Sequence, residues 1–334
     1  MKVSSKLMTV VLTAAFVLSL VGSTQAALPG FLIAGMDHRT HDSNNTLKAF
    51  DLDGNLQWEV DADDAKIGEI DPTDGSLIVA QGGPDVFAGG GTRVERYNAQ
   101  TGALIGTLFD HGQGNVRGIA VHLTTGDIAV TAEGSSVSFH DVSGSALNVT
   151  TGALSFANNS DALYDYANGE NVLFVMSDAT DALKGYATND PPTTATLTRN
   201  AYLTGPDVGS NYENLVKHDG MLYVLKAGPS PDVVKWDPTD QSYTPVSVLS
   251  GASGFGYATG LAFDPSGNMY IGDYVGEDVY KFTESGGTWS NQSLFIEDAV
   301  HQITWLEFSA VPEPSSLMLI VMAAVGVLGF TRRR

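Results

Sequence analysis

One short unit recurs six times along this chain of 334 residues, and it restricts the fold more than any other feature. The unit is a turn ending in glycine followed by a short apolar run. It reads Gly30-Phe31-Leu32-Ile33-Ala34, Gly75-Ser76-Leu77-Ile78-Val79, Gly126-Asp127-Ile128-Ala129-Val130, Gly169-Glu170-Asn171-Val172-Leu173-Phe174, Gly220-Met221-Leu222-Tyr223-Val224 and Gly267-Asn268-Met269-Tyr270-Ile271. The intervals are 45, 51, 43, 51 and 47 residues. A second landmark keeps step with the first. An aromatic residue closes the next run at Phe50, Tyr97, Phe139, Tyr186, Trp236 and Phe282, at intervals of 47, 42, 47, 50 and 46. Polar turns follow it, such as Asp51-Leu52-Asp53-Gly54 and Asp237-Pro238-Thr239-Asp240. Strand-length runs separated by turn residues every 8–12 positions or so indicate an all-β fold, and a repeat of this length suits the blade of a β-propeller.

Each repeat reads as four strands, A to D. In the sixth, Gly260–Phe263 is A, Met269–Gly272 is B, Asp278–Phe282 is C and Ser293–Ile296 is D. The first repeat starts at Phe31, already a B strand. The run Gln302–Phe308, left over after the sixth repeat, alternates like a strand. Placed as strand A of blade one, it closes the ring and protects edges that would otherwise pair with other chains. The expectation is an all-β, six-bladed propeller of four-stranded blades over residues 27–310, with its C-terminal strand in blade one. Within it, Gly260-Leu261-Ala262-Phe263-Asp264-Pro265-Ser266-Gly267-Asn268-Met269-Tyr270-Ile271-Gly272-Asp273 resembles the NHL repeat and the gluconolactonase-like propellers. Those families share a fold and differ widely in function.

The ends are of another kind. Lys2 and Lys6 precede the apolar stretch Leu7–Val21, and Thr24-Gln25-Ala26 offers a small-x-small cleavage site, so residues 1–26 read as a secretory signal peptide. At the other end, Val311-Pro312-Glu313-Pro314-Ser315 is followed by an uncharged stretch from Leu317 to Phe330 and by Arg332-Arg333-Arg334. The stretch predicts a short membrane helix, and the arginines place the end on the cytoplasmic side. This tail, residues 311–334, resembles the PEP-CTERM sorting signal of Gram-negative bacteria. The resemblance implies that an exosortase-type enzyme recognises Pro312, Glu313 and Pro314. It also implies a precursor held transiently in the inner membrane and a product at the cell surface or in a biofilm or exopolysaccharide matrix.

Composition narrows the chemistry. The absence of cysteine excludes disulfides, thiolate metal sites and a cysteine nucleophile. The chain carries −21, and setting aside Lys2, Lys6 and the three terminal arginines leaves 12 cations against 38 acidic residues. Such a field repels nucleic acid. No Gly-x-Ser-x-Gly elbow or His-Glu-x-x-His helix motif occurs. The loop glycines Gly82-Gly83 and Gly89-Gly90-Gly91 precede no helix that could cradle phosphate.

Propeller sites gather where the inner strands begin. Aligning those strands places Ile67, Arg117, Glu213, Thr259 and His301 at corresponding entry positions, with blade four unassigned near Tyr164 and Asp165. Arg117, Glu213, Asn214, His301 and Tyr257 are the candidate ligand-binding residues at the channel mouth. Tyr212, Tyr257 and Tyr274 suit stacking on a sugar. Asp37, His38, His41 and Asp42 crowd one loop and are the weak candidates for a metal. No catalytic residue and no cofactor is fixed by the sequence, and calcium is the ion that the gluconolactonase-like resemblance would bring. The reading is therefore a surface or matrix protein whose propeller binds polysaccharide or protein. The alternatives are a metal-dependent sugar-lactone hydrolase or lyase working in the channel, and a scaffold without ligand.

Overall fold

The computed structural model describes residues 30–37, 46–62, 65–81, 93–110, 116–132, 137–151, 159–177, 182–189, 192, 194–202, 212–239, 246–250, 252–297 and 302–309. The chain divides into two units, one of Phe31–Ala310 and one of Met1–Gly30 with Val311–Arg334. The signal peptide, the sorting motif Pro312, Glu313 and Pro314 and the short membrane helix lie outside the described residues, as do His38, His41, Asp42 and His301.

The described residues of the larger unit form six sheets, antiparallel except at one strand of blade four. Blade one holds β1 (Phe31–Asp37), β2 (Thr46–Phe50) and β3 (Leu56–Asp61). Blade two is β4 (Ala65–Ile70), β5 (Leu77–Gln81), β6 (Arg93–Tyr97) and β7 (Leu104–Asp110). Blade three is β8 (Val116–Val121), β9 (Ile128–Ala132), β10 (Val137–His140) and β11 (Ala146–Leu147). Blade four has β12 (Thr150–Thr151), β13 (Asn159–Ala167), β14 (Glu170–Ser177), β15 (Ala182–Thr188) and β16 (Thr194–Tyr202). Blade five is β17 (Tyr212–His218), β18 (Met221–Lys226), β19 (Asp232–Trp236) and β20 (Val246–Leu249), and blade six is β21 (Ala258–Phe263), β22 (Met269–Asp273), β23 (Val279–Ser285) and β24 (Thr288–Ile296). The last strand, β25 (Gln302–Ser309), pairs with β1 as the inner strand of blade one, so the sheet order there is β25-β1-β2-β3. Blade four departs from the four-stranded pattern: β12 adds a fifth strand, parallel to β16. In blade six, strand D begins five residues before the sequence expectation, at Thr288, and buries Trp289.

The repeat has a physical reading. Gly75, Gly126, Gly169, Gly220 and Gly267 sit at φ of +72 to +83°, a left-handed turn conformation that disfavours any side chain. The B strands β5, β9 and β22 are buried along their whole length, which is why each opens on an apolar run, with a buried polar residue (Gln81, Thr131, Asp273) only toward its end. The outer strands β3 and β7 alternate between exposed and half-buried positions. The six aromatic residues that close the C strands are all buried, in apolar clusters between neighbouring blades. Much of the acidity is structural as well. Asp51, Asp71, Asp141, Asp237 and Asp264 each accept a backbone N–H two residues on, capping a turn.

Candidate functional site in the central channel

Every inner strand carries one extra residue near its start, unmatched on the neighbouring strand. The bulged residues are Lys66, Arg117, Ser160, Glu213, Thr259 and Thr304. A β-bulge re-aims the residues that follow it, so these bulges set the true register of the channel. Arg117, Glu213 and Thr259 stand at equivalent positions, as the sequence alignment had them. In blade two the equivalent is Lys66 rather than Ile67, and in blade one it is Thr304, within β25, rather than His301. Blade four contributes Ser160 instead of a residue near Tyr164. The cause of the difference is that an apolar pattern shows which residues are buried but not where a strand takes an extra residue.

At the bulges and within three residues past them, side chains bridge from blade to blade. Asp161 accepts the Leu215 N–H at 2.7 Å and the Asn214 side-chain N–H at 3.3 Å. Asn214 in turn accepts the Leu261 N–H at 2.8 Å. The Thr259 hydroxyl donates to the Ile303 carbonyl, and the Trp305 indole donates to Ala65 O at 3.1 Å. Glu69 accepts the Val121 N–H. At the remaining junction, between blades three and four, Gly118 removes the side chain altogether: a Cβ there would come within 2.6 Å of Ala162 N. Among the described residues, side-chain hydrogen bonds thus cross five of the six junctions, and close backbone contact at Gly118 makes the sixth. Trp305, fully buried, lies over Gly35 and Gly68, where a Cβ would meet its ring at 2.0 and 2.5 Å.

Three residues past the bulge stand Glu69, Ala120, Leu163, Val216, Ala262 and Glu307. Glu69 and Glu307 line the same channel cavity as Asp161, a space of about 170 Å³. Surrounding protein strips water from all three, and this raises each acid first. Asp161 is pushed up to about 8, against the pull of its N–H donors. Glu307 is also pushed up to about 8, with Asp161 adding repulsion. Glu69 lies well above its ordinary value, through burial and then the charges of Glu307 and Asp161. The channel acids therefore do not all carry charge at neutral pH. The sequence names none of these three, although Glu69 and Glu307 share one layer once the strands are aligned on their bulges.

The remaining candidates are placed as follows. Arg117 is exposed on β8, Glu213 is the bulged residue of β17, and Asp37 ends β1. Asn214, 4% exposed, has both ends of its amide engaged between blades four and six. Tyr257 lies in the loop before β21, where its N–H donates to Asp273 at 2.8 Å and its carbonyl accepts the Tyr274 N–H at 2.7 Å. Calcium takes six to eight or so oxygen ligands. The channel does not fit it: Asp161 and Asn214 direct their oxygens at N–H donors, and no group of three acids or histidines among the described residues is arranged around an ion.

Comparison with known proteins agrees with this architecture. A protein of unknown function from Bacteroides caccae is 14% identical with a TM-score of 0.54, covering 85% of this chain and 100% of that one. A 6-phosphogluconolactonase-like protein from Bacteroides uniformis is 12% identical, TM-score 0.55, over 79% of this chain and 82% of that one. TolB from Acinetobacter baumannii is 12% identical, TM-score 0.57, over 88% and 70%. At these identities the likeness concerns the fold alone. No curated protein matches the chain. Residues 310–334 match the PEP-CTERM protein-sorting motif, so the chain is an exported propeller protein carrying the tail that exosortase sorts.

Proposed function

We propose that this protein is a surface-displayed binding module, in which a rigid propeller holds exopolysaccharide or another surface protein. Residues 1–26 direct export, the tail holds the precursor in the inner membrane, and processing at Pro312, Glu313 and Pro314 delivers residues 27–310 to the cell surface or matrix. The observation that supports binding over catalysis is the lacing of the channel: the polar groups an enzyme would aim at a substrate are aimed at the next blade. The test is co-sedimentation of the processed protein with exopolysaccharide from its own host. Saturable capture supports the reading, and recovery of the protein wholly in the supernatant, with no partner cross-linked at the surface, defeats it.

A second reading rests on Glu307. It faces the cavity, accepts no hydrogen bond from the described residues and stays protonated to about pH 8, as a general acid must. Sugar-lactone hydrolysis lost in Glu307→Gln would favour it, and activity indifferent to that change would remove it.

A further inference from the structure

The seam between blades one and two holds a groove of about 380 Å³, in the range of about 300–1,000 Å³ where small molecules bind. Its walls come from the end of β3, from β5 and β6, and from the turn entering β7. On its floor lies Glu95, 3% exposed. One carboxylate oxygen accepts Gln81 Nε2 at 2.7 Å and the Tyr97 hydroxyl at 2.6 Å, and the other accepts Arg93 at 3.1 Å and Thr107 at 3.1 Å. Burying a carboxylate costs several kcal/mol or so unless it is fully bonded, and this one is.

The propeller does not require it. Two residues before the closing aromatic stand Lys48, Val137, Lys184, Val234 and Tyr280 in the other blades, so the repeat accepts an apolar side chain, a tyrosine or a cation at that position. What Glu95 achieves is to fix the groups around it. Gln81, itself 3% exposed, must turn its NH₂ toward the carboxylate, which only accepts. Its amide oxygen is left without a donor among the described residues. The Arg93 side chain is 47% exposed and gives one hydrogen bond to the described residues, so further N–H groups face outward. Asp61 adds an exposed acceptor, and Val60, Ala103 and Leu104 form an apolar wall.

We infer that this groove is a carbohydrate subsite that takes a neutral sugar unit. A sugar hydroxyl both donates and accepts, which matches the Gln81 oxygen and Asp61 on one side and Arg93 on the other. The C–H face of the ring suits the wall at Leu104. A neutral unit is favoured over an acidic one because two carboxylates stand against one guanidinium and the whole chain is strongly negative. The inference rests on the binding reading above and gives it an address.

The test is saturation-transfer NMR on the processed protein with cellobiose, maltose and N,N′-diacetylchitobiose, beside co-sedimentation with host exopolysaccharide. Ala103 is exposed, so Ala103→Trp fills the groove without entering the core. It should lower binding about tenfold or more with the melting temperature unchanged. Glu95→Gln should weaken binding by releasing Arg93 and Gln81, and Ala103→Trp carries the test if that variant folds poorly. Polysaccharide binding that survives Ala103→Trp overturns the groove and leaves the surface-binding reading intact. No binding of any saccharide or polysaccharide by the parent protein overturns both.

Discussion

The central channel and the seam groove both bury carboxylates among hydrogen-bond donors, yet they differ in what is left over. In the channel, Asp161 and Asn214 spend their oxygens on backbone N–H groups of the next blade, and the capacity left over is the raised acid of Glu307. In the groove, Glu95 is saturated by its own blade, and its partners Gln81 and Arg93 keep capacity that points away from it. Buried charge alone does not mark a binding site. The informative quantity is the hydrogen-bonding capacity that remains once the fold has been satisfied.

The comparison makes the channel a structural keystone, and Trp305 is the most severe way to break it. Trp305→Ala deletes a fully buried ring and its bond to Ala65, a change that typically costs about 3–5 kcal/mol. A domain of this size shifts by 2–4 °C or so per kcal/mol, so the melting temperature should fall by about 6–20 °C. A fall under about 3 °C would mean that β25 does not seal the ring. Next in size is Gly118→Ala, whose new Cβ meets the backbone of Asp161 and Ala162 at 2.6–2.7 Å. Backbone cannot yield as a side chain can, and a loss of about 1–3 kcal/mol is expected by thermal melting. Neither variant should alter sugar binding in the groove except through unfolding.

How much of this the sequence revealed follows from what each signal measures. The Gly-turn units and the six C-strand aromatics give the blade number, because five of the six glycines sit at a left-handed φ and an aromatic ring fills each seam, and the strand left over at Gln302–Phe308 gives the closure. The bulges leave a weaker mark: all six bulged residues are polar, but they share neither size nor charge, so an alignment by apolar runs falls one residue off in blade two and three off in blade one. The sequence therefore gives no sign that Glu69 and Glu307 share a layer, or that Asn214 bonds to two neighbouring blades. Glu95 was hidden differently. Its alternation with Arg93 and Tyr97 looks like an ordinary strand face, and only the fold brings Gln81 and Thr107 to it.

Asn214→Asp sharpens the channel side of the comparison. The substitution replaces an N–H donor facing Asp161 with a second acceptor while retaining an oxygen for Leu261. Two carboxylates then compete for one proton. Stability should drop by about 1–3 kcal/mol at pH 8 and recover in part at pH 5, where the pair keeps a shared proton. Urea unfolding at the two pH values reads this directly. Equal losses at both would mean that the lost hydrogen bond matters and the added charge does not.

The smallest effect is also the one with an unusual sign. Glu307 meets Glu69 from β4 and Asp161 from β13, with Lys217 of β17 lining the same cavity. Its acid is raised from near 4.5 to about 8, so the fold favours the protonated form. Stability from this group is therefore fully present below the unfolded value and is lost as pH climbs toward 8. Glu307→Gln keeps the shape of the neutral acid and cannot ionise. It should melt with the parent protein near pH 4.5 and above it by pH 8, by about 1–2 kcal/mol after allowance for water in the channel. Melting curves at half-unit steps from pH 4.5 to 9 give the difference as a rising step. A flat difference would place enough water around Glu307 to keep it charged, and the channel would then have spare capacity of the kind found in the groove.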